Sequence, residues 1–182
     1  LSAPLLLTAL ITGLQFAPQT DELKFHLGVV QQFGAALPAI PWRDYHAATP
    51  PLPYVLWALW AQAFGYGLPA LRALTSLMSF AGALAFYDLA RRRGQPAPLV
   101  LGLLLLFSPY LFLNSFTLYT VNMGLLFEIL ALRWYLDWER VGRRGLLWGG
   151  LAAAAAIYCR QHYLFLPAGV GLVWLARAFR RW

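Results

Sequence analysis

Two adjacent carboxylates open the most polar stretch of an otherwise apolar chain. Asp21 and Glu22 are followed by His26, Asp44, His46 and Tyr54, in a segment that reads TDELKFHLGVVQQFGAALPAIPWRDYHAATPPLPY from Thr20 to Tyr54. Neighbouring residues at a helix start point about 100° apart, so the two acids suit different tasks. Asp21 can serve as a general base that takes the proton of an attacking hydroxyl, with Glu22 orienting the acceptor or a neighbouring histidine. The plainer alternative is that both acids only favour the positive end of a helix, an effect of about 1 kcal/mol. Glu22, His26 and His46, with Asp44 close by in sequence, are also candidate ligands for a divalent cation, since carboxylate and imidazole both hold such ions. Their spacing does not single out a metal site, and surface histidines are the simpler reading.

A second chemical signal lies far along the chain. Arg160, with Gln161 and His162 beside it, interrupts two apolar runs. A charge placed there is costly and is a functional candidate by default. Its planar donor fork fits a phosphate and could stabilise charge developing on one. The alternative is a residue that only reaches the membrane surface to set topology. Arg72 carries the same two readings.

The elements that must position these groups look built for lipid. Of the 182 residues, 60% are hydrophobic and 12% charged, and the mean hydropathy is +0.59. A soluble domain carries roughly 25% charged residues, so this composition predicts an all-α integral membrane protein. The net charge of +7 does not point to nucleic acid. The arginines fall in short clusters, Arg91-Arg92-Arg93, Arg140/Arg143/Arg144 and Arg177/Arg180/Arg181, each at the end of an apolar stretch, as topology signals do. Cys159 is the only cysteine, which excludes an intramolecular disulfide and a cysteine-based metal site.

In order along the chain, Leu1 to Ala17 reads as a first span and residues 18–67 as a first outer loop. Within that loop Asp21 to Ala36 forms an amphipathic interfacial helix capped by Thr20, with Phe25, Val29, Gln32 and Phe33 on one face. Leu52 to Phe64, rich in Trp and Tyr, forms a second interfacial helix. Spans follow at Leu68–Leu89, Pro98–Leu113, Phe116–Leu136, Leu146–Tyr158 and Tyr163–Ala176, the last two rich in small residues that suit close packing. This threading leaves the basic clusters inside and Asp21, Glu22 and Arg160 outside. The whole of 1–182 is then one transmembrane domain. An opening on Leu1 and a close on a basic cluster suggest a fragment of a longer protein.

These residues together resemble the GT-C glycosyltransferases, which use polyprenyl-phosphate sugars. The likeness is strongest to the dolichyl-phosphate-glucose α-1,2-glucosyltransferase type, with its DE…H segment, its WD…TTPPGLY element and its later RQTN. Here these are Asp21-Glu22 with His26, WRDYHAATPPLPY ending at Tyr54, and RQHY from Arg160. The wider family also has an interfacial helix ending in FG with an arginine just after it, matched by Phe64-Gly65 and Arg72. The family's LYYTD appears as Leu118-Tyr119-Thr120-Val121-Asn122, with Asn in place of Asp. The resemblance implies a multi-span bundle of GT-C type. Lys24 is the only lysine against many arginines, a bias that suggests a bacterial genome and so a bacterial plasma membrane (or an endoplasmic-reticulum membrane in a eukaryote). The resemblance also implies Asp21 as catalytic base with Glu22 beside it. It places Arg160, Gln161, Arg72, His26, Asp44 and Tyr54 around a lipid-phosphate sugar donor and a glycan, lipid or protein acceptor, with a divalent metal as an open option. A non-catalytic lipid-phosphate-binding or transport module on the same scaffold is the alternative, to which Asn122 and the short chain lend some weight.

Overall fold

The computed structural model describes residues 19–40, 42–45 and 49–179, and among these every regular element is a helix. A π-helical turn, Glu22–His26, runs into α1 (Leu27–Ala36). After a short 3-10 turn, Trp42–Asp44, come α2 (Leu52–Phe64) and α3 (Leu68–Arg92). Then follow α4 (Pro98–Leu106), α5 (Pro109–Asn114), α6 (Val121–Leu136) and the short α7 (Trp138–Val141). The chain closes with α8 (Arg143–Cys159), a 3-10 turn at Gln161–Leu164 and α9 (Phe165–Phe179). The expected span at Leu1–Ala17 and the basic residues Arg180 and Arg181 lie outside the described residues.

α3 is the one described helix long and apolar enough to cross a membrane. Its 25 residues rise about 37 Å, against a hydrocarbon core of about 30 Å. Pro69 sits in its first turn, where a missing N–H is harmless, and Arg91 and Arg92 fill its last turn, where cations favour the helix dipole. α6 is the centre of the bundle, packed on α3 on one side and α8 on the other. Small residues make the α6–α8 approach possible. Gly145, Gly149, Ala153, Ala156 and Cys159 are all buried on α8, and a Cβ on Gly149 would lie 2.8 Å from the Tyr135 ring.

Two expected spans change shape. Pro98–Leu113 is not one helix: Ser108 turns extended, with ψ 131°, because Pro109 excludes the helical conformation before it. The run from Phe116 becomes helical only at Val121. There the Leu118 N–H is drawn off to the Glu22 carboxylate at 2.9 Å instead of a helical carbonyl.

The polar loop supplies the tightest packing. Val30, Phe33, Tyr54, Trp57, Ala58, Ala61, Leu71, Leu118 and Met123 form one buried cluster joining α1, α2, the start of α3 and the approach to α6. Each large side chain there contributes about 2–3 kcal/mol by leaving water. The outward faces of the long helices are the reverse. Leu77, Phe80, Leu84, Leu104, Leu151 and Leu172 are all exposed.

Candidate active site

The buried face of the first helix carries Glu22, His26, Val30 and Phe33, an i, i+4, i+8, i+11 stripe that begins in the π-helical turn. The expected face of Phe25, Val29, Gln32 and Phe33 is therefore corrected: Phe25 is 62% exposed, Gln32 is exposed and Val29 only half-buried. Thr20 already lies within the helix. The capping task falls to Glu22, whose carboxylate reaches back to accept the Gln19 N–H at 2.8 Å, as the acid of a capping box does.

Glu22 is fully buried and fully occupied. Oε1 accepts Arg72 Nε at 2.9 Å and the Leu118 N–H at 2.9 Å, while Oε2 accepts Arg72 Nη2 at 2.5 Å. Burial alone would raise its pKa. The hydrogen bonds from Arg72, Gln19 and Leu118, with the Arg72 charge, outweigh that and hold it below its ordinary value. Arg72 is itself only 1% exposed. The structure places Arg72 on Glu22, and Glu22 becomes a clamp joining the loop, α3 and the approach to α6.

With Glu22 turned inward, Asp21 is exposed. Tyr119 donates its hydroxyl to Asp21 Oδ2 at 3.0 Å, while its ring meets His26 edge-on at 5.8 Å. His26 lies under this pair and shares a 2.9 Å hydrogen bond between Nδ1 and the buried Tyr54 hydroxyl. Burial lowers the His26 pKa and Arg160 lowers it further, against the pull of Asp21 and Glu22. Tyr54 is pushed up by burial, eased by its contact with Thr49 and by Arg160. Arg160 therefore acts electrostatically on both residues. It sits at the end of α8 with an extended backbone, φ −155° and ψ 132°, and is half-buried.

Asp21, Glu22, His26, Tyr54, Arg72, Tyr119 and Arg160 thus gather at one end of the bundle. Arg91, Arg92, Arg93, Arg140, Arg143 and Arg144 lie at the other, where Arg93 pairs with Asp137 at 3.0 Å. Gln161 is exposed beside Arg160. Asp44 lies in the 3-10 turn, and His46 falls outside the described residues. Among the described residues no group of three or more His, Cys, Asp or Glu side chains is placed to hold a metal, and Glu22 has no lone pair free of a donor. Tyr119 is the site residue that sequence reasoning passed over. The available signal was an aromatic hydroxyl in a break between two apolar runs.

Asn122 is not at this site. It is buried among α3, α5 and α6, donating to Ser79 Oγ at 2.7 Å and the Leu111 carbonyl at 2.9 Å. Compared with known proteins, the chain matches no family model, no curated protein and no solved structure.

Proposed function

We propose that this chain belongs to a multi-pass membrane glycosyltransferase, moving a sugar from a polyprenyl phosphate to a glycan, lipid or protein acceptor at the outer face. The observation that carries the reading is that an exposed, tyrosine-held carboxylate at Asp21 and the Arg160 guanidinium lie at the same end of the bundle, each close enough to act on His26. The apolar outer faces of α3, α4, α8 and α9 suit lipid, since exposed apolar patches of this extent mark membrane or partner contacts. Basic clusters at the far end fit an inward-facing side.

In this reading the acceptor hydroxyl attacks the anomeric carbon while Asp21 takes its proton. A bond forms from the acceptor oxygen to that carbon, and the carbon–oxygen bond to the phosphate breaks. The lipid phosphate leaves with the bonding pair, and Arg160 holds the charge that develops there. Glu22 and Arg72 touch neither reactant and fix the loop from below.

The test is Asp21→Asn in membranes supplied with polyprenyl-phosphate sugar. The variant is expected to fold and to bind the lipid phosphate, and to form no product. Undiminished transfer would remove Asp21 as the base. Binding of the lipid phosphate by the native chain, lost in Arg160→Ala and with no product from any donor, would favour the non-catalytic binding module instead. Asn122, buried away from the site, gives that alternative no support.

A further inference from the structure

The end of the bundle opposite Asp21 carries an uncompensated charge. The triplet 91–93, Arg133 and the cluster Arg140, Arg143 and Arg144 gather there, with Asp88, Asp137 and Glu139 as the acids nearest in sequence. The carboxylates are not evenly shared. Asp88 holds Arg91 at 3.0 Å, Arg92 at 2.7 Å and Arg133 at 3.5 Å, and Asp137 holds Arg93 at 3.0 Å. Arg140, Arg143 and Arg144 are exposed. None of the three has an ion pair among the described residues.

Their backbone is held tightly in place. Gly142 turns the chain with φ +65°, and a Cβ on Gly145 would lie 3.3 Å from both the Trp134 carbonyl oxygen and Trp138 Cα. α8 therefore starts hard against the end of α6. Trp138 packs on Trp174 at 5.4 Å between ring centroids, and indole rings favour the headgroup level of a bilayer. From Arg144 an apolar strip of exposed Leu147, Trp148 and Leu151 runs along α8.

We propose that Arg140, Arg143 and Arg144 form a headgroup site for an anionic phospholipid, whose acyl chains lie along Leu147, Trp148 and Leu151. The guanidinium forks match phosphate oxygens, and the strip below them matches hydrocarbon. The proposal rests on the membrane reading above and is independent of sugar transfer.

The test uses the full chain. Flotation with phosphatidylcholine vesicles comes first, and a chain that does not float refutes the membrane reading and this inference together. Detergent-solubilised protein is then titrated with phosphatidylglycerol or phosphatidylcholine of equal chain length, and binding is read by thermal shift. Phosphatidylglycerol is expected to bind more tightly by about fivefold per engaged arginine, on the order of a hundredfold for three. R140Q/R143Q/R144Q should abolish the preference. R91Q/R92Q, which removes charges already held by Asp88, should keep most of it. The inference fails if the chain floats but binds both lipids equally or if the triple variant keeps its preference. It fails equally if the double variant loses as much, or if inorganic phosphate reproduces the shift.

Discussion

Glu22→Gln is the substitution that most directly tests how the loop is held. It changes no volume and removes one charge, yet it strikes a side chain with no exposed surface and four donors aimed at it. Three consequences add. The Arg72 guanidinium loses the Glu22 charge while 1% exposed. One amide N–H₂ must face two donors that previously met an oxygen. The Leu118 and Gln19 N–H groups keep at best one carbonyl oxygen between them. Breaking a buried ion pair from one side costs about 3–5 kcal/mol, and in a chain of this length each kcal/mol moves Tm by about 2–4 °C. Thermal unfolding in detergent should therefore show a fall of about 6–20 °C. Arg72→Gln should fall comparably. Glu22→Gln with Arg72→Gln should recover a large part of the loss, because no charge is then left unpaired. The reasoning is refuted if Glu22→Gln alone moves Tm by less than about 2 °C, the size expected of an exposed pair.

Two further outcomes follow from the same geometry. Glu22 has a folded pKa below its unfolded value of 4.5, so its stabilisation is complete above that value and is lost as the pH falls through the folded one. His26, lowered from 6.5, acts in the same direction, because the unfolded chain takes up a proton that the folded chain resists. Tm measured downward from neutral pH should begin to fall below about pH 6.5 and fall again below about pH 4.5, with the second step smaller in Glu22→Gln. Tyr119→Phe removes the donor to Asp21 at 3.0 Å from a half-buried position. It should leave Tm nearly unchanged and lower kcat more than KM, by about ten- to a hundredfold if the bond persists as the proton moves. An unaltered kcat would show that Asp21 needs no such holder.

Local pattern carried much of this fold and little of its tertiary logic. The helix at Leu52–Phe64 was readable from its own residues, and so were the start of α3 at Leu68 and the break at Arg160, because Pro, Gly and charge punctuate apolar runs. Pro109 also announced the break between α4 and α5, but a run of leucines on both sides hid it. Which face of the helix after Glu22 turns inward was not readable, because the groups that bury Glu22 lie 50 and 96 residues away in sequence. Arg72, read as a phosphate fork or as a residue reaching the membrane surface, gave no sign of its bond to Glu22 for the same reason. Tyr119 could be read only as part of a motif, since its bond to Asp21 depends on the loop folding back across 98 residues.

The clamp also accounts for why two acids stand together. Adjacent helical positions diverge by about 100°, so fixing one side chain inward obliges its neighbour to face outward. Glu22, held from below by Arg72 and Leu118, thereby sets the direction of Asp21 without touching anything that Asp21 would touch. A single acid could not do both, because four hydrogen-bond donors would leave it no lone pair for an incoming proton. An apolar residue at position 22 would bury well but would leave the Leu118 N–H without an acceptor, and with it the point at which α6 is tied to the loop. Tyr119 lies next to Leu118 in the chain, so the bond that anchors that backbone also delivers the hydroxyl that holds Asp21. The outward carboxylate is thus positioned twice by one buried one, through the helix turn they share and through the strand of backbone that Glu22 draws in.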